Sequence, residues 1–190
     1  MPAYLTIGGA DDPFLPKLLH AIQRATEIDL AVAFIKSSGL GLIFDALAEA
    51  VTLRGARLRL LTSDYLDVTD PDALRKILLL GSEGAEAKIF EAKERSFHLK
   101  AYIFVRTEGG EIIEGEAYVG SSNISRVALT DGLEWNYRIS YRPGVSEAGV
   151  EHLQELRREF AALFADSSTF PSRIPGSRPT SSAGLSGGCR

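Results

Sequence analysis

Residues 95–105 read RSFHLKAYIFV. Phe97, Leu99, Ala101, Ile103 and Val105 are apolar, so the stretch predicts a buried β-strand. His98 and Lys100 interrupt it, two positions apart. Side chains along a strand alternate between faces, which puts both on the same side. An imidazole and an ammonium in such a strand are costly unless they partner other polar groups or act on something.

Working outward, the chain alternates strand and helix patterns. AYLTI (3–7) is a short strand. DDPFLPKLLHAIQRATE (11–27) is a helix, with Asp12 as N-cap and Pro13 at the first helical position. IDLAVAF (28–34) is a buried strand, KSSG (36–39) a loop, and LGLIFDALAEAVTLRG (40–55) a helix stopped at Gly55. ARLRLLTS (56–63) is a strand, and Asp70-Pro71 opens a helix running to Leu80 and ended by Gly81. AKIFEA (87–92) is a strand. TEGGE (107–111) turns the His98 strand back as a hairpin into EAYVG (116–120). SSNISRVAL (121–129) is a loop entering a short helix, LEWNYRISYR (133–142) a strand, and SEAGVEHLQELRREFAALFA (146–165) an amphipathic helix with Ser146 as cap. This order predicts an α/β fold, a helix–sheet–helix sandwich around a mixed, largely parallel β-sheet. Residues 1–166 form the expected catalytic domain. Residues 167–190, rich in Ser, Gly and Pro, read as a linker or disordered tail.

With 190 residues, 45% hydrophobic and 24% charged, the chain fits one ordinary globular domain. Cys189 is its single cysteine, which excludes an internal disulfide framework and favours a reducing compartment. There is no apolar run of membrane-spanning length and no secretory leader pattern, so the expected location is the cytoplasm. Formal net charge is −4. The three arginines from Ser167 onward offset a more acidic body, so a polyanion partner must be held by a local basic patch, not by the overall field.

Two further polar clusters bear on His98 and Lys100. Gly120-Ser121-Ser122-Asn123 follows a strand, and its hydroxyls, amide and backbone N–H groups suit a phosphate. Glu134 and Asn136 share one face of the strand at 133–142. Simpler readings stand beside these. Ser121 and Asn123 also suit helix capping, Glu134 suits a surface strand, and Trp135 suits the core. Ser37-Ser38-Gly39 fits either a connecting turn or a backbone-amide cradle for a second phosphate. Arg54, Arg57, Arg59, Lys93 and Arg95 fit a solvated face better than a DNA contact, and His20 and His152 fit surface or packing roles.

His98-Leu99-Lys100 followed by Gly120-Ser121-Ser122-Asn123 resembles the HxK…GSxN signature of the phospholipase D superfamily. The family's usual Asp five residues after the Lys is Val105 here, and TEGGE lengthens the gap between motifs. These departures, with TDGLEWN (130–136), are similar to metal-independent restriction-type nucleases and to phospholipase D-like modules beside DEAD/DEAH-type helicases. The resemblance spans roughly 25–165. It implies cleavage of a phosphodiester in DNA, with RNA as the alternative, through a phosphohistidine, without metal or other cofactor. It assigns His98, Lys100, Asn123 and Glu134 to catalysis, Glu134 orienting an imidazole in place of the missing Asp. Ser121, Ser122 and Asn136 are assigned to phosphate binding. That mechanism takes two histidines in opposite protonation states, while the chain has one His-x-Lys motif. The expectation is therefore a homodimer with one composite site, since a two-fold axis brings identical residues together. Two rival readings are a catalytically weak nucleic-acid-binding module attached to a helicase domain or subunit, and a phospholipid phosphodiesterase.

Overall fold

A computed structural model describes residues 4–64, 69–92, 96–166 and 168–171. The first half alternates strand and helix: β1 (Leu5–Gly8), α1 (Phe14–Arg24), β2 (Glu27–Val32), α2 (Ser37–Thr52), β3 (Arg57–Ser63), α3 (Pro71–Ser82) and β4 (Glu86–Phe90). Then come β5 (Lys100–Glu108), β6 (Glu111–Gly120), α4 (Arg126–Leu129), β7 (Leu133–Tyr141), α5 (Gly149–Ala165) and β8 (Thr169–Pro171). Lys93, Arg95, Cys189 and the tail from 172 onward lie outside the described residues.

The eight strands form one mixed sheet in the order β1-β7-β6-β5-β2-β3-β4-β8. The α/β sandwich expected from sequence is present, but parallel pairing is confined to β2–β3 and β3–β4. The reason is the β5–β6 hairpin. Gly109 and Gly110 both adopt positive φ (58° and 90°), the two-residue turn that suits the twist of paired strands. That ribbon enters the middle of the sheet, antiparallel to β2, and β7 and β1 extend it outward. Thr169–Pro171, which composition assigned to the tail, adds an antiparallel edge strand to β4.

Strand alternation divides the core. Ile28, Leu30, Val32, Tyr102, Phe104 and Tyr118 face one side and pack under α1–α4. Ala31, Leu61, Ile103, Val105 and Ala117 face the other, against Leu153, Phe160 and Phe164 of α5. Val105 is 1% exposed, so the strand is apolar core at the position where the wider family places an acid. Asp29 is buried under α5, where Arg59 donates to it twice (2.7 and 2.8 Å) and lies over the Phe160 ring. Arg59 is thus an internal ion-pair partner. Arg54 donates to the carbonyls of Ile22 and Ala25 at the end of α1, and Arg57 pairs with Glu27. Burial raises the Glu27 pKa, but Arg157 and Arg57 outweigh this and hold it below its ordinary value.

Several helix starts differ from expectation for local reasons. Pro13 holds the cap position of α1, while the Asp12 carboxylate accepts from Ile7 N and pairs with Lys17. α2 begins at Ser37, so the expected loop is its first turn. Its amide at Ser37 donates to Asp70 (2.8 Å), and Lys36 pairs with the same carboxylate at 3.2 Å. A carboxylate from the start of α3 therefore fills the place considered for a second phosphate. Ser146 precedes α5 and accepts from Arg142 N instead of capping the helix.

Candidate active site

The candidate residues gather at one edge of the sheet, where β2 and β6 end and β5 and β7 begin. Val32 pairs with Lys100, Ala101 with Val119, and Gly120 with Asn136. Continuing this register sets Lys100, Gly120 and Asn136 in one row across three strands. His98 and Glu134 then lie one same-face step further toward the edge. His98 falls just before β5, not inside it as the sequence suggested; it is exposed, and Lys100 is half-buried. The Lys100 ammonium donates to the His98 carbonyl (2.7 Å), which ties the histidine's backbone to the strand.

Gly120 is required between Lys100 and Asn136. A Cβ there would sit 2.0 Å from Trp135 O and 2.7 Å from Asn136 Oδ1. No side chain fits that approach, so glycine lets β6 and β7 close over the loop that follows.

The loop 121–125 is pinned from three directions. Ser121 N donates to Trp135 O (3.0 Å), and its hydroxyl accepts from Trp135 N (3.1 Å) while donating to the Glu134 carboxylate. Ser122 Oγ accepts from Asn136 Nδ2 (2.8 Å), and its carbonyl accepts from Tyr102 OH (2.9 Å). Burial and then the nearby Glu134 carboxylate push the Tyr102 hydroxyl far above its ordinary range, so it remains a donor. Asn123 Oδ1 accepts from Phe34 N (3.2 Å), and Ile124 O accepts from Lys36 N (2.8 Å). Ser125, not Ser121 or Asn123, caps α4 by accepting from Ala128 N (3.3 Å).

The expected site residues therefore divide by burial. His98 and Ser121 are exposed, and Lys100 and Glu134 are half-buried at the same edge. Ser122 and Asn136, expected to bind phosphate, are fully buried and bonded to each other, so they hold the loop instead. Asn123 is 9% exposed, with its oxygen engaged by Phe34. Sequence reasoning missed Tyr102, whose hydroxyl joins β5 to the loop; its place two residues after Lys100 on the same face was the available signal. Trp135, assigned to the core, is 68% exposed. His20 on α1 and His152 on α5 lie away from this edge.

The family described as "Cardiolipin synthase, PLD-like domain" matches residues 18–164, which contain both motifs and every strand of the site. The chain belongs to the phospholipase D-like family. That family consists of phosphodiester-processing enzymes. No curated protein matches the chain by sequence. Among solved structures, this phospholipase D-like chain is similar to Nuc from Salmonella typhimurium, a phospholipase D family member, at TM-score 0.54 and 20% identity, covering 81% of this chain and 93% of Nuc. It is also similar to phosphatidylserine synthase from Haemophilus influenzae, at TM-score 0.66 and 14% identity over 93% of this chain and 40% of that one. Polyphosphate kinase from Porphyromonas gingivalis gives TM-score 0.56 and 17% identity over 80% and 24%. At these identities the likeness is one of fold.

Proposed function

We propose that this phospholipase D-like chain is a metal-independent nuclease that cleaves DNA through a phosphohistidine in a site shared by two copies. The observation that carries the reading is the single His98-x-Lys100 motif at the exposed ends of the central strands, beside Ser121 and Glu134. In the first step a His98 nitrogen attacks phosphorus, an N–P bond forms, and the P–O bond to the leaving group breaks. His98 of the second copy gives its proton to that oxygen. It then takes a proton from water, which attacks phosphorus and breaks the N–P bond. Lys100 and the Asn123 amide stabilise the phosphoryl oxygens as charge shifts. Glu134, positioned by Ser121, orients the imidazole.

The apolar surface supports the second copy. Leu133 (87% exposed), Trp135 (68%) and Tyr137 (55%) share one face of β7, beside Leu5 and Ile7 of β1 and Val119 of β6. Leu99 continues this face to the residue next to His98. Soluble monomers rarely leave so many large apolar side chains in one patch. Strand alternation turns this patch to the sheet face opposite His98 and Lys100, so a second copy docked on it completes the histidine pair only where the two-fold axis passes the strand ends.

The direct assay is cleavage of DNA in excess EDTA by wild type and by His98→Ala. Wild type cuts and the variant does not, by about 10⁴-fold or more for loss of a covalent nucleophile. Cutting only with added divalent metal, or equal cutting by the variant, defeats the reading. Val105 in the core favours one second reading, a helicase-linked module that binds nucleic acid with little turnover. Salt-dependent DNA binding without product selects it. Hydrolysis of phospholipid vesicles in preference to DNA selects a lipid substrate.

A further inference from the structure

At the opposite end of the sheet, on the α1 face, the described residues form a second polar concavity of about 190 Å³. Arg106 lies six residues along β5 from Lys100, so with a rise of about 3.3 Å per residue the concavity is roughly 20 Å from the candidate active site. Four guanidinium groups, from Arg24, Arg106, Arg138 and Arg142, line it against two carboxylates, Glu114 and Glu116. The carboxylates form the floor, with side chains 15% and 11% exposed. The guanidinium groups form the rim, 33–60% exposed.

Glu114 is contacted by three of them: Arg24, Arg142 (3.0 Å) and Arg106 (3.4 Å). Glu116 is held by Arg138 and by Tyr118 OH (3.0 Å). Arg106 also reaches Glu108 at 3.6 Å, outside the concavity. A surplus of at least one positive charge remains at the rim. Two carboxylates cannot occupy all the donors of four guanidinium groups, each of which carries five N–H. A network serving stability alone tends toward matched charge, because unpaired donors of like charge repel. The chain as a whole is acidic, so this local excess is set against its own field.

We propose that this concavity is a binding site for a phosphate dianion, either free or as the terminal phosphomonoester of a larger molecule. Planar guanidinium forks match phosphate oxygens in pairs. The volume is below the roughly 300–1,000 Å³ of drug-sized pockets, which suits a small anion or a terminal group. Glu114 competes with the ligand for Arg24 and Arg142, so it sets the affinity.

The test is calorimetric titration of the full chain carrying His98→Ala and Lys100→Ala, which disables phosphate binding at the catalytic edge. The result is thereby independent of whether that edge is a nuclease. The probes are inorganic phosphate, and one oligonucleotide with and without a 5′-phosphate. Saturable phosphate binding is expected. Adding Arg24→Gln and Arg142→Gln, both well exposed, weakens it by about tenfold or more, a loss of about 1.4 kcal/mol. Adding Glu114→Gln instead tightens it, the reverse of what loss of a structural ion pair does. If the 5′-phosphorylated oligonucleotide binds more tightly than its 5′-hydroxyl form, the ligand is a terminal phosphate; if only inorganic phosphate binds, it is the free ion. Both outcomes support the site. Absence of saturable binding, or affinity unchanged by Arg24→Gln and Arg142→Gln in a chain of unaltered circular dichroism, overturns it.

Discussion

At the scale of single residues, the candidate site is a loop held by backbone needs, and these give separable effects. Asn123 satisfies Phe34 N with its side-chain oxygen. Asn123→Ala leaves that N–H unpaired, and stability should fall by about 1–3 kcal/mol in denaturant titration. Asn123→Asp keeps an acceptor and should recover most of the stability, without recovering the amide N–H proposed to meet phosphate. Gly120→Ala forces a methyl against Trp135 O, so β6 and β7 must separate. An overpacking cost of about 1–3 kcal/mol is expected, together with loss of activity beyond what instability explains. Both roles were hard to read from sequence. GSSN announced hydrogen-bonding groups but not their direction. Because Asn136 and Ser122 bond to each other in the interior, residues that looked like phosphate ligands became supports.

At the scale of elements, helix starts and ion pairs depend on partners distant in the chain. Asp70 illustrates this: it stands at the start of α3 yet accepts from the first turn of α2. No pattern local to 36–39 announces that carboxylate. The pairing of β2 with β3 likewise buries Asp29 against Arg59 beneath α5. Asp29→Asn removes one charge of a buried pair and should cost about 3–5 kcal/mol, measurable as a lowered urea midpoint. Glu27 supplies a pH dependence. Its folded pKa lies below the ordinary value of 4.5, so its contribution is present above that pH and lost as pH falls through the folded value. The melting temperature should therefore decline on acidification below about pH 4.5, and Glu27→Gln should flatten that decline.

At the scale of the whole molecule, the strand and helix order was legible because period-two and period-3.6 patterns are strong here, and TEGGE marked the hairpin. The sheet's direction was not. Alternating strands and helices implied a mixed but largely parallel sheet, whereas a hairpin can insert between other strands, and nothing in its own sequence says where. Nor did LEWNYRISY reveal that Trp135 faces outward, since one apolar face looks the same in sequence whether a helix or a second copy covers it. That face carries an assembly expectation. Trp135→Glu should convert a dimer seen by light scattering to a monomer, leave the fold intact, and reduce cleavage with it. A wild-type monomer with full activity contradicts a shared site. The membrane question is narrower: among the described residues no helix is long and apolar enough to cross a bilayer. The most direct measurement of the central claim is an acid-sensitive covalent adduct, trapped in a single turnover on a labelled DNA phosphodiester in excess EDTA and located by mass spectrometry. A phosphoryl group on His98 is the expected result, and cleavage with the adduct on another residue contradicts it.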